Sequence, residues 1–176
     1  MAIIRKQLTQ PAAPVDTRQA EVDLHTRLAA AGLLTVPLNV QAVAEYLGLE
    51  VTEEPMDDDL SGYLERRGGT WVVGVNAFHH INRKRFTIAH EIAHFMLHSA
   101  RQASFHDRTF SRRTADPNPM EREADRFAAE LIMPAPMVRE LIGSGVTSLS
   151  ALAERFRVSA LAMKYRVQNL GYQVNQ

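Results

Sequence analysis

The chain has 176 residues, enough for one domain with a sizeable core, and its 20 lysines plus arginines balance its 20 aspartates plus glutamates. That neutrality excludes a global field drawing the protein to nucleic acid or an anionic membrane, so recognition of a partner must be local. The absence of cysteine excludes disulfides, thiolate metal sites and a cysteine nucleophile, which leaves histidine and carboxylate as the strong metal ligands.

Taken in chain order, the opening residues MAIIRKQLTQPAAP lack the long apolar stretch of a signal peptide, and residues 1–15 read as a flexible tail. No apolar run approaches the roughly 20 residues that span a bilayer, so a soluble, cytoplasmic protein with no membrane partner is expected. From Asp16 to Ala31, Ala20, Leu24, Leu28 and Ala31 recur at helical spacing, with Asp16 or Thr17 as the cap and Gly32 as the stop. Asn39 opens a shorter helix through Val43, Ala44 and Leu47 to Gly48, after which Leu49 to Glu53 alternates like a strand. Leu60 to Val75 holds two extended runs around Arg67-Gly68-Gly69-Thr70 and predicts a β-hairpin, with Trp71, Val72, Val73 and Val75 suited to half-buried positions. From Asn82 to His98 the period changes, and Phe86, Ala89, Ala93 and Leu97 predict a helix.

Residues 99–119 are rich in Arg, Ser, Thr and Asp with little periodicity and read as a long loop that could contact or gate a protein substrate. Helix resumes from about Met120 to Ile132 and breaks at Met133-Pro134. Three short helical segments follow around Val138 to Ile142, Leu149 to Phe156 and Ala160 to Leu170. The expected organisation is a core over 16–134 and a helical, helix-turn-helix-like subdomain over 135–176 packed on it.

The chemistry sits in His90-Glu91-Ile92-Ala93-His94. Residues four apart share a helix face, so His90 and His94 can present two imidazoles to one ion. With one further protein ligand, zinc keeps a position open for water, and Glu91 can act as the catalytic base that accepts the water's proton and passes it to a leaving amine. The third ligand should come from a second helix, where Met120-Glu121-Arg122-Glu123-Ala124-Asp125 places Glu121 and Asp125 on one face. In the arrangement that fits, Glu121 binds the metal and Asp125 accepts the other N–H of a ligating histidine. Glu123 lies roughly 160 degrees round the helix from both and is expected to face solvent.

At these two segments the sequence resembles the ImmA/IrrE family of metallopeptidases, through Phe86-Thr-Ile-Ala-His90-Glu91-Ile-Ala-His94-Phe-Met-Leu-His98 and Glu121-Arg-Glu-Ala-Asp125-Arg-Phe-Ala-Ala-Glu-Leu-Ile-Met133-Pro134. The resemblance implies zinc held by His90, His94 and Glu121, with Glu91 as base; whether manganese takes its place in the cell is left open by the sequence. Asp125 stands where many relatives carry asparagine. It also implies an α+β fold, a reduced zincin in which a small antiparallel or mixed sheet lies beside the two metal-binding helices, over roughly Asp16 to Tyr172. Family members cleave helix-turn-helix repressors, often ones encoded beside them or in toxin-antitoxin-like pairs, so such a repressor is the expected substrate.

Other features carry less. His98 lies about 12 Å along the helix from His90, too far to share an ion, and is expected to cap the helix C-terminus. Tyr63, His79 and the loop arginines Arg101, Arg108, Arg112 and Arg113 are candidates for stabilising an oxyanion; His79 and His80 precede the helix in a loop where one could approach substrate, although solvated positions are favoured for both, and His106 stays open. Arg155, Arg157, Lys164 and Arg166 could meet phosphates, but the apolar residues from Leu149 to Leu170 and the neutral charge favour packing or repressor docking over direct DNA binding. Two alternatives to a repressor-cleaving enzyme are a non-catalytic, antitoxin-like regulatory partner with a structural metal, and a broad housekeeping peptidase. The sequence leaves the oligomeric state open.

Overall fold

The computed structural model describes residues 15–108 and 118–174, and the tail expected over 1–15 lies almost wholly outside them. Asp16 caps α1 (Thr17–Ala30) by accepting from the backbone N–H of Arg18 and Gln19, and α1 buries the periodic residues Ala20, Leu24 and Leu28. Asn39 caps α2 (Val40–Tyr46) in the same way through the N–H of Ala42. The expected hairpin is β2 (Leu60–Arg67) and β3 (Thr70–Asn76), turned by Gly68 and Gly69, which both adopt positive φ. β1 (Leu49–Glu54) runs parallel to β3 on its other side. One element departs from the sequence reading: residues 104–108, expected within a loop, form β4 (Ser104–Arg108), antiparallel to β2. The result is a four-stranded mixed sheet in the order β1-β3-β2-β4.

Strand alternation decides which side chains can reach the helices. On one face, Gly62 lies against Thr87 of α3 (Ile81–His98), Trp71 meets Phe95, and Phe105 stacks on His94. Tyr63, Gly74 and His106 belong to the opposite face. Every residue from Thr87 to His94 is buried, so this stretch of α3 is enclosed on all sides, by the sheet and by other helices. Its principal helical neighbour is α4 (Pro119–Ile132), capped by Asn118. Fully buried alanines occur in both helices, Ala89 and Ala93 in α3, Ala124 and Ala128 in α4, and keep side-chain bulk low where two backbones must approach. Gly62 does the same for the sheet, since a Cβ there would lie 2.5 Å from both Thr87 Cγ2 and the Gly74 carbonyl oxygen. The architecture is therefore α+β, with a small mixed sheet beside a helix pair.

Three further helices close the chain: α5 (Ala135–Gly143), α6 (Leu149–Phe156) and α7 (Ala160–Asn169). The α6–α7 turn passes through Arg157 at φ 51, and Leu152, Phe156, Val158, Met163 and Val167 join the same core as α3 and α4. Arg166 does not project to solvent as a phosphate contact would. It is 8% exposed, its Nε donates to the Met133 carbonyl at 2.9 Å, and its guanidinium pairs with Glu130 near the end of α4. At the start of α3, Asn82 donates to the Val158 carbonyl at 3.2 Å and Arg85 Nε to that of Arg157 at 3.2 Å.

Two substitutions test this arrangement by chemical denaturation. Gly62→Ala wedges a methyl between β2 and α3 and is expected to cost about 1–3 kcal/mol. Arg166→Ala strips charge-assisted bonds from a buried site and should cost about 2 kcal/mol, whereas Arg155→Ala, on the exposed side of α6, should stay within about 0.5 kcal/mol.

Candidate metal centre

The helical period of α3 puts His90 and His94 one turn apart, and each is 1% exposed. Their Nε2 atoms approach to 3.0 Å. Glu121, in the first turn of α4, reaches both: its Oε2 is 3.1 Å from His90 Nε2 and its Oε1 is 3.4 Å from His94 Nε2. One ligand atom from each of His90, His94 and Glu121 lies within 4.8 Å of the other two. Two imidazole nitrogens and a carboxylate oxygen converging on one point are the donor set that zinc and related divalent ions take, with a position left over. The residues therefore fit a metal ion.

The electrostatics set Glu121 and His94 apart from ordinary carboxyl and imidazole groups. Burial alone would raise the Glu121 carboxyl, but hydrogen bonds from His90 and His94, and their charges, hold it well below the usual carboxylate range. Burial pushes the His94 imidazole below its ordinary value, against the opposing pull of Glu121, which favours the neutral ring whose lone pair a metal needs. Glu91 is fully buried, and as the neighbour of His90 its side chain leaves α3 about 100 degrees round from that ligand.

The outer contacts differ between the two histidines. Asp125 stands where the helix spacing placed it, with Oδ1 3.0 Å from His90 Nδ1. His94 Nδ1 faces a third imidazole instead, His98 Nδ1 at 3.0 Å, and His98 Nε2 lies 3.0 Å from Glu123 Oε2. Glu123 is exposed as expected, but both outer residues take a contact that the sequence did not show. His98 does lie in the last turn of α3, but its ring is buried against His94; Glu123 is half-exposed, yet its two methylenes carry the carboxylate back to His98. A helical wheel gives the direction of a Cβ and says nothing of that reach.

The remaining candidates fall elsewhere. Tyr63 and His106 occupy the sheet face away from α3, their rings 6.1 Å apart, and the Tyr63 hydroxyl is engaged by Glu54 and by Arg67 Nη2 at 2.7 Å. A hollow of about 560 Å³ beside Glu54, Leu60, Tyr63, Arg67 and Phe78 lies near these residues and not at the histidines. Tyr63 is thereby removed as an oxyanion donor. His79 precedes α3 and so stands more than two turns from His90, and His80 is the N-cap of α3, its Nδ1 accepting from the Asn82 N–H at 3.2 Å. Arg112 and Arg113 lie outside the described residues, Arg101 is exposed after α3, and Arg108 ends β4. Phe105, which the sequence reading passed over, stacks on His94 at 4.6 Å and 20°.

Residues 44–168 match the family described as the IrrE N-terminal-like domain, peptidase family M78. A comparison with curated proteins finds no match. Among solved structures, a Mycobacterium tuberculosis transcriptional regulator is similar over 86% of this chain, with a TM-score of 0.56 and 16% identity. The chain spans 46% of that protein's length, and the likeness is one of fold.

If the three residues form one centre, Glu121→Ala should weaken zinc binding by more than the roughly 10- to 100-fold that loss of an outer hydrogen-bond partner costs. Titration of the metal-free protein against a chromophoric chelator measures this. Unchanged affinity would remove Glu121 from the ligand set.

Proposed function

Because the chain belongs to the IrrE N-terminal-like domain family of M78 peptidases, we propose that it is a zinc-dependent, site-specific endopeptidase that cleaves a helix-turn-helix transcriptional repressor and so derepresses genes. The observation that carries the reading is the convergence of His90, His94 and Glu121 within 4.8 Å, the two histidines lying on the helix that also bears Glu91. A divalent ion held there supplies Lewis-acid polarisation of a carbonyl and acidifies water. Manganese in place of zinc would serve the same role.

The chain's own residues do the rest. A Glu91 carboxylate oxygen accepts the proton of the attacking water and returns it to the leaving amine nitrogen, one proton moving across the scissile bond. Glu91 is fully buried, so bulk water is kept away from its carboxylate. β4 supports an extended substrate. It is an edge of the sheet, it borders the centre through Phe105, and its outer backbone groups can pair with a peptide laid alongside as a further strand. A segment bound this way must be locally unfolded, which favours a cut in a linker or mobile loop of the repressor.

The substrate class rests on the two-motif resemblance, and a repressor encoded by a neighbouring gene is the first to try. No helix among the described residues is long and apolar enough to cross a membrane.

The test uses the zinc-loaded protein and that neighbouring repressor. Wild type is expected to yield two fragments of fixed mass, and Glu91→Gln, with zinc binding retained, to lower the cleavage rate by at least about 100-fold. Equal cleavage by Glu91→Gln would sink the mechanism. Regulation retained in cells by that variant would point instead to a non-catalytic partner with a structural metal.

A further inference from the structure

We infer that His98 and Glu123 form a positioning relay for the metal ligand His94, the counterpart of the single Asp125 contact on His90. The inference rests on the reading of His90, His94 and Glu121 as a metal centre. A histidine that binds a metal through Nε2 keeps its proton on Nδ1, and the partner of that N–H fixes the ring's orientation. For His90 the partner is the Asp125 carboxylate at 3.0 Å.

Among the described residues, His94 Nδ1 meets at that position not a carboxylate but the ring nitrogen of His98 at 3.0 Å. Two ring nitrogens at that distance bond only when one carries the proton and the other a lone pair. A metal on His94 Nε2 makes His94 the donor, so His98 Nδ1 accepts. Neutral His98 then carries its proton on Nε2, which points at Glu123 Oε2, 3.0 Å away. An ionised carboxylate accepts only, so the end of the chain demands the same direction as its beginning. The opposite tautomer of His98 would set a lone pair against the Glu123 oxygen. All donors and acceptors therefore agree in one direction only, from His94 through His98 to Glu123.

The surroundings hold this chain in place. Phe105 stacks on His94 and comes within 6.2 Å of the His98 ring. His98 is 1% exposed, whereas the Glu123 side chain is 47% exposed, so a charge at the surface polarises a ligand in the interior through one intervening ring. Loss of that charge leaves His94 less basic at Nε2 and freer to rotate. Both effects weaken metal binding and distort its geometry.

Zinc affinity of the metal-free protein against a chromophoric chelator, the visible spectrum of the cobalt-substituted protein and the melting temperature without metal together test the relay. His98→Ala opens a cavity in the core, so the half-exposed Glu123 carries the decisive variants. Glu123→Ala is expected to raise the zinc Kd about tenfold and to shift the cobalt bands, with the metal-free melting temperature unchanged. Glu123→Gln, which keeps an acceptor without the charge, should recover part of the loss. Glu140→Ala, which removes an equal charge from the exposed side of α5, should change neither affinity nor spectrum. Wild-type affinity and spectrum in Glu123→Ala would overturn the relay, as would an equal loss in Glu140→Ala. Neither result touches the metal centre itself, whose failure would show in Glu121→Ala binding zinc as tightly as wild type.

Discussion

A helix that buries two histidines and a glutamate within five residues is the constraint from which the rest of the structure follows. Burying such groups without partners costs several kcal/mol each, so α3 can be enclosed only if its neighbours answer its polar side chains. α4 answers with three carboxylates at alternate positions, Glu121 between the two ring nitrogens, Asp125 behind His90 and Glu123 behind His98. The sheet answers by shape, through the absent side chain of Gly62 and the flat ring of Phe105. Buried alanines on α3 and α4 permit the short distances on which those contacts depend.

The carboxylates on α4 differ in what their exposure allows. Glu121 is 23% exposed and is held ionised by the histidines it meets, so it is suited to face a cation from the partly dry side. Asp125 and Glu123, at 45% and 47%, keep contact with water while gripping buried rings. Their contacts with the rings of His90 and His98 hold those rings in the orientation a metal would need. Such preorganisation leaves less conformational freedom to be lost on binding.

How much of this was legible follows from the range of each signal. The His90–His94 spacing and the Glu121–Asp125 spacing are local to single helices, and the period of 3.6 residues is enough to place each pair on one face. The hairpin was legible from Gly68-Gly69 between two runs of β-formers. β4 was not, because Ser104-Phe-His-Asp-Arg108 has one apolar residue and owes its extended form to pairing with β2, some forty residues earlier. Tyr63 could not be excluded from the sequence, since alternation gives two faces without saying which one meets α3; the contact between Gly62 and Thr87 decides it. The tie between His98 and Glu123 joins two helices through flexible side chains, and no spacing within either helix encodes it.

The C-terminal helices bear on the same centre from a distance. α3 and α4 must hold their axial alignment to fractions of an ångström if two ring nitrogens and a carboxylate are to share one ion. The α6–α7 turn takes hydrogen bonds from Asn82 and Arg85 at the start of α3, while Arg166 of α7 grips Glu130 and the Met133 carbonyl at the end of α4. One small helix pair is thus bonded to both metal-bearing helices. A sliding motion of α3 against α4 would have to break charged contacts at Arg166 as well as repack Phe156 and Met163. The helix-turn-helix appearance of residues 149–169 therefore has a use inside the molecule, as a brace on the alignment of α3 and α4, while Leu161 and Tyr165 remain on the exposed face of α7.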